Sequence, residues 1–135
     1  MLYQDFYIPK YDWRVYVFYD TDANNTEEVM DYLFDIGCDG ATAKRAYSNL
    51  SSNMPNTGLT YSKGKETCIV LGYATDKENF AHTYVHEIVH CSIHIAKSFG
   101  VNFESEELAY IAGDLAAVML PFASKFMCEC CNNKH

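Results

Sequence analysis

Residues 79–99, NFAHTYVHEIVHCSIHIAKSF, are the stretch around which the rest of the chain is organised. On a helical wheel, at about 100° per residue, their apolar side chains cover most of the circumference. The polar side chains crowd one sector about 100° wide, and they are Thr83, His86, Glu87, His90, His94 and Lys97. A helix that is apolar nearly all round is a buried one. The pattern therefore predicts a core helix that keeps a single polar stripe.

The stripe contains His86-Glu87-Ile88-Val89-His90, an HExxH motif. Residues four apart on a helix share one face, offset by about 40° and about 6 Å along the axis. Two imidazoles placed in this way can bind one zinc ion, and Glu87 can then reach a water on that ion. Zinc lowers the pKa of its water toward ~7, so that Glu87 could take the proton. The alternative, a core helix whose histidines only form hydrogen bonds, fits an isolated histidine better than this face.

Length and charge limit the classes of protein to consider. A chain of 135 residues predicts one domain, spanning 1–135. The net charge of −8 argues against nucleic acid or an anionic membrane as the main partner. The N-terminus lacks the basic and apolar regions of a signal peptide, and no apolar run approaches the ~20 residues of a membrane span. We therefore expect a cytoplasmic protein.

The cysteines fall into two groups. Three are scattered, and each is most simply a small buried hydrophobe: Cys38, Cys68 and Cys91. The others cluster with a histidine near the C-terminus: Cys128, Cys130, Cys131 and His135. A lone Cys-x-x-Cys on a terminal segment favours a flexible, reduced tail over 127–135, and a second metal site is the alternative.

The rest of the chain predicts an α+β domain. Strand, helix and hairpin signals alternate, and Ser105 caps a last apolar helix. A capping box, Thr75 with Glu78, precedes the long helix. The predicted strands and helices, in order, are a strand at 11–20, helices at 25–37 and 41–50, strands at 59–61 and 67–71, the helix at 79–99 and the helix after 105. This order favours a small, largely antiparallel sheet packed against helices.

A catalytic zinc needs three protein ligands and an open position. One arrangement takes its third ligand from a His six residues after the second motif His, and needs a Gly three residues after that same motif His. This chain has Ala96 at the first position and Ile93 at the second. The following helix offers Glu106 or Glu107 instead. An extended connection would bring Glu106 back level with His90. Acidic residues in the first turn of a helix also complement its dipole, with or without a metal.

With these residues the chain resembles the gluzincin metallopeptidases, and in particular the compact one-domain minigluzincins. The matching residues are His86, Glu87, His90, Glu106 and Ala109. In larger gluzincins an Asp commonly follows the small residue, whereas this chain has Tyr110. The resemblance implies a zincin-like fold with an HExxH helix and a following Glu-bearing helix. It also implies that the strand around 67–73 binds an extended peptide by edge pairing.

The leading prediction is a zinc-dependent hydrolase of amide bonds, most simply a small peptidase acting on a peptide or protein. His86, His90 and Glu106 would hold Zn²⁺, and Glu87 would activate water and then protonate the leaving amine. A second donor usually stabilises the oxyanion. The sequence leaves three candidates for this donor: Tyr110, His94 and Arg45.

The second hypothesis is a binding module in which zinc cross-links two helices and no substrate is cleaved. A fourth protein ligand, either His94 or Cys91, would support such an interaction or regulatory protein. Glu87 favours catalysis, because a structural zinc site has no need of a carboxylate at that position.

Overall fold

The computed structural model describes residues 1–127 and confirms the predicted α+β class. The strands and helices, in chain order, are β1 (Leu2–Ile8), β2 (Trp13–Thr21), α1 (Thr26–Asp35), α2 (Gly40–Ser51), β3 (Gly58–Lys63), β4 (Glu66–Gly72), α3 (Lys77–Ser98) and α4 (Glu106–Ala123). Short 3-10 turns lie at Pro9–Tyr11, Ala23–Asn25 and Ser124–Phe126. The residues of the predicted second metal site lie outside the described residues: Cys128, Cys130, Cys131 and His135.

The four strands form one mixed sheet in the order β1-β2-β4-β3. β1 pairs with β2 and β3 with β4 in antiparallel fashion, but the central strands β2 and β4 are parallel. The predicted, largely antiparallel sheet is therefore corrected to a mixed one. A parallel pair needs a long crossover connection, and α1, α2 and β3 provide it between β2 and β4.

Helices cover both faces of the sheet. Alternate residues of a strand point to opposite faces, and in β2 Val17 belongs to one hydrophobic cluster while Phe18 belongs to the other. The first cluster lies under α3 and α4, with Leu115 and Met119 among its members. The second lies under α1 and α2 and includes Leu33. The sheet is thus the middle layer of three, and the polar stripe of α3 lies in an outer layer.

The N-cap of α3 lies one residue after the predicted one. It is Asp76, whose side chain accepts a hydrogen bond from the Asn79 amide, so the predicted capping box of Thr75 and Glu78 is wrong. Asp is among the best N-cap residues because its carboxylate accepts from the free amides of the first turn. The predicted cap of α4 is confirmed, because the Ser105 side chain accepts from the amide of Leu108.

The expectation that no apolar run approaches the length of a membrane span is wrong for α4 and the turn after it. Glu106–Phe126 is long and apolar enough, by length and composition, to cross a membrane, with a mean hydropathy of 1.3. Apolar residues occupy its outer face as well as its inner one, and only 22% of the window is buried. Its inner face, which includes Ile111 and Leu115, packs on the sheet. A core helix meets the same criterion, so the finding assigns no location.

Candidate functional site

His86 and His90 lie one turn apart on the outer side of α3. Their Nε2 atoms are 3.2 Å apart, and the side chain of His86 is 54% exposed. Two nitrogens that bind one tetrahedral zinc ion at 2.0–2.1 Å would be separated by about 3.3 Å. The pair therefore fits two of the four positions around such an ion. An N–H···N hydrogen bond between the rings would give a similar distance, so the distance alone does not distinguish the two.

Glu87 is buried beside this pair, with 5% of the residue exposed. The Thr60 hydroxyl, on β3, donates to its Oε1 atom at 2.8 Å. The other carboxylate oxygen, Oε2, lies 4.0 Å from Nε2 of His86. A buried carboxylate is costly unless it is hydrogen-bonded or paired. β3 therefore supplies the contact that holds Glu87 toward the histidines.

Gly58 makes room for this carboxylate. A Cβ atom at position 58 would lie 2.8 Å from Oε2 of Glu87 and 2.8 Å from Cγ2 of Thr83, distances that real Cβ atoms do not show. Only glycine lets β3 pass so close to α3. Sequence reasoning missed both Gly58 and Thr60, because neither residue carries a local signal that it faces the motif.

His94 lies one turn beyond His90 and is tied to the sheet. Its Nδ1 atom is 2.7 Å from the Ser62 hydroxyl, and that hydroxyl is 2.7 Å from the hydroxyl of Thr67. The indole N–H of Trp13 donates to the Thr67 hydroxyl at 2.8 Å. Burial lowers the pKa of His94, and its interactions with His90 and Lys97 lower it further. Burial therefore favours the neutral form of the ring.

No family model matches the chain, and comparisons with curated proteins and with solved structures found no match. The functional assignment therefore depends on the geometry of the site and on the residues that form it.

Glu106 is not brought to the histidine pair. It is exposed in the first turn of α4, and α4 lies beside α3, where the Tyr84 hydroxyl donates to the Ala116 carbonyl. His86 lies about 160° around α3 from Tyr84, so it faces away from this contact. Within residues 1–127, no three His, Cys, Asp or Glu side chains are grouped to hold a metal ion. The third ligand stays a prediction.

The connection from α3 to α4 is not the extended segment that the sequence predicts. The Val101 amide donates to the Ala96 carbonyl and the Ser105 amide to the Asn102 carbonyl, so the chain turns instead.

The other candidate ligands are engaged elsewhere. Glu107 forms an ion pair with Lys10 at 3.2 Å. Cys91 is fully buried in the core cluster, and burial raises its pKa to about 12, which disfavours the thiolate that binds metals. The predicted buried, free state of Cys38, Cys68 and Cys91 is confirmed.

Of the three candidate oxyanion donors, only His94 lies on the stripe. Tyr110 is on α4 and 67% exposed. Arg45 is on α2, on the opposite face of the sheet, where it donates to the Thr42 hydroxyl.

The edge strand beside α3 is β3 rather than the predicted stretch 67–73. β4, which contains most of that stretch, lies between β2 and β3 and is paired on both sides. Within residues 1–127, β3 pairs only with β4, and the face of β3 that carries Thr60 and Ser62 contacts α3. The outer edge of β3 therefore lies next to the polar stripe.

Proposed function

We propose that this chain is a zinc-dependent hydrolase that cleaves peptide bonds. The observation that carries the proposal is the position of Glu87. Its buried carboxylate is fixed by Thr60, with the free oxygen turned toward two histidines whose Nε2 atoms have the separation of two zinc ligands. A purely structural site would gain nothing from a buried carboxylate held beside the ion.

Each residue of the site has a proposed role. His86 and His90 would bind zinc through Nε2. Glu106, the match to gluzincins, is the proposed third ligand, and this role requires the first turn of α4 to take a position different from the one described above. When bound, zinc supplies a Lewis acid that polarises a carbonyl and acidifies water.

Glu87 is the proposed general base. Its Oε2 atom would accept the proton of the attacking water and pass it to the leaving amine. The hydrogen bond from Thr60 occupies Oε1, so the carboxylate keeps one orientation during this transfer. A Cβ atom at position 58 would contact Oε2, so Gly58 leaves that oxygen without a side chain against it from β3.

The proposed substrate is an extended peptide. An unpaired strand edge binds such a segment through main-chain hydrogen bonds, and the outer edge of β3 is the one that adjoins the stripe. This arrangement would bring a peptide bond past Glu87 and the histidine pair.

A second candidate is a non-catalytic, zinc-stabilised interaction or regulatory module. One observation favours it: within residues 1–127, no third ligand joins the exposed histidine pair. A partner protein could then complete the coordination of the ion.

Metal content and hydrolysis together test the proposal. Elemental analysis should find about one zinc per chain, and His86→Ala and His90→Ala should each lose it. His82→Ala is the matched control, because His82 lies one helical turn before His86 and outside the motif. The unmodified, zinc-loaded chain should cleave members of a broad peptide library. Zinc that stays bound without both motif histidines would contradict the site, and zinc without cleavage would favour the module.

A further inference from the structure

The geometry points to His94 as a substrate-binding residue that donates its Nε2–H to a main-chain carbonyl of the peptide, two or three residues from the scissile bond. The inference rests on the proposed function and deepens it, because it assigns a binding contact outside the motif. It depends on the hydrogen-bonded chain behind His94, on its height along α3 and on the direction of β3.

The direction of the hydrogen bonds starts at Trp13. An indole N–H can only donate, so the Thr67 oxygen accepts it. The Thr67 hydroxyl proton then has two possible acceptors, the Ser62 oxygen at 2.7 Å and the thiol of Cys91. Because sulfur is the weaker acceptor, we assign Thr67 as the donor to Ser62, although the distance fits either direction.

In this assignment the Ser62 hydroxyl donates to Nδ1 of His94, which lies 2.7 Å away. A neutral imidazole with Nδ1 as acceptor carries its proton on Nε2. The two ring nitrogens point in nearly opposite directions, so the Nε2–H points away from the sheet. Within residues 1–127, Nε2 of His94 has no hydrogen-bond partner. A donor of fixed direction is therefore presented on the stripe.

The chain that fixes this donor is built into the core. Trp13 is 1% exposed and Thr67 is fully buried. Buried polar groups are tolerated when every member of the network is satisfied, and such networks then hold one arrangement.

The height of His94 determines which part of the substrate it can reach. Its Cα lies six residues beyond the midpoint of His86 and His90, or about 9 Å along α3. An extended peptide advances about 3.3 Å per residue. His94 is therefore too far along the helix to reach the scissile carbonyl, and level with a carbonyl two or three residues away.

The direction of β3 indicates on which side of the scissile bond His94 contacts the peptide. Residues Gly58, Thr60 and Ser62 approach Thr83, Glu87 and His94 in turn, so β3 and α3 run in the same direction. Antiparallel pairing is the more stable and more frequent mode for an added strand. A peptide paired in this way has its N-terminal part at His94. The contact is therefore made on the N-terminal side of the scissile bond.

Kinetics on peptides of different length test the contact. The probe is the best-cleaved member of the peptide library, together with versions shortened from the N-terminus to one residue before the scissile bond. His94→Leu should lower kcat/KM for the full-length peptide by about 10-fold, the value of one net hydrogen bond, and leave the shortened peptide unchanged. His94→Gln keeps an N–H donor near the Nε2 position and should retain most of the activity. His82→Leu should leave the ratio of kcat/KM between the full-length and shortened peptides unchanged.

Nitrogen-15 NMR of the whole chain gives a readout that does not depend on activity. It should show the Nε2–H tautomer for His94, and Ser62→Ala should produce a mixture of tautomers and weaken the length effect. A dominant Nδ1–H tautomer would overturn the inference. So would the loss of zinc from His94→Leu, because His94 would then be a ligand, or an equal loss of activity on long and short peptides. Failure of the unmodified chain to cleave any peptide would contradict the proposed function itself.

Discussion

The two faces of the sheet differ in what they bury. On the α1–α2 side the cluster consists of apolar side chains such as Phe18 and Leu33, and Thr26 is a buried polar residue only at the start of α1. The α3 side buries Thr67, Thr83, Glu87 and Ser92 within its core. Buried polar groups cost stability unless each finds a partner. The comparison shows that polar burial is concentrated next to the HExxH motif, whereas the opposite face serves packing.

The largest expected effect is a loss of hydrolysis from a substitution on the α3 side of the sheet that leaves the fold intact. Glu87→Gln keeps the size of the side chain and an acceptor for Thr60, but removes the general base. We expect hydrolysis to fall by ~10²–10⁴-fold with zinc content and thermal stability retained. Peptide cleavage rates and elemental analysis measure the two quantities. Undiminished cleavage would mean that Glu87 is not the base.

The next effect is a loss of stability from a substitution on the α1–α2 side of the sheet. Leu33 is a fully buried residue of α1, so Leu33→Ala should lower the free energy of unfolding by about 2–5 kcal/mol. Guanidinium titration measures this change. Under conditions in which the variant is still folded, zinc affinity should match that of the unmodified chain. A large loss of zinc affinity would show that the two faces are coupled.

A matched pair of glycines sharpens the comparison at the contact between β3 and α3. Gly58→Ala would place a Cβ atom 2.8 Å from Glu87, and overpacking of this kind costs about 1–3 kcal/mol. Gly113 lies in α4 with open space around its Cβ position, so Gly113→Ala should stabilise the fold by about 0.5–1 kcal/mol. Chemical denaturation separates the two. Equal effects at the two positions would remove the special role of Gly58.

Removal of the proposed third ligand should have a smaller effect. If Glu106 completes the site, Glu106→Ala should weaken zinc binding by ~10-fold or more, whereas Glu107→Ala should only lose its exposed ion pair with Lys10. Competition with a zinc chelator measures both affinities. The opposite pattern would assign the ligand to Glu107.

The smallest effect concerns pH. The lowered pKa of His94 means that the unfolded chain binds its proton at a higher pH than the folded chain does. Its contribution to stability is therefore fully present above its ordinary pKa of about 6.5 and is lost as the pH falls through the window below that value. Denaturation at several pH values should show a shallower acid loss for His94→Gln. An unchanged slope would mean that His94 titrates alike in both states.

Local patterns predicted much of the fold. Periodicity placed α3, and the aromatic, β-branched run at 11–20 located β2 (Trp13–Thr21). β1 (Leu2–Ile8) was missed, because its polar residues interrupt the apolar pattern of an edge strand. The parallel pairing of β2 with β4 has no local signal, since it depends on the path of the crossover between them.

The candidate site was predictable only in part, for the same reason. The spacing of His86 and His90 sets their separation within one helix. The partners that β3 contributes, Thr60 to Glu87 and Ser62 to His94, come from a contact between distant segments. The level of Glu106 depends on the turns after α3, which the sequence does not specify.

Trp13 is the single tryptophan of the chain, and its indole N–H begins the series of hydrogen bonds that ends at His94. Indole fluorescence responds to the polarity and hydrogen bonding around the ring. The protein therefore carries one built-in optical reporter, two hydroxyl groups away from the polar stripe. If the proposed site binds zinc or a peptide, we expect this emission to change, with no label attached to the protein.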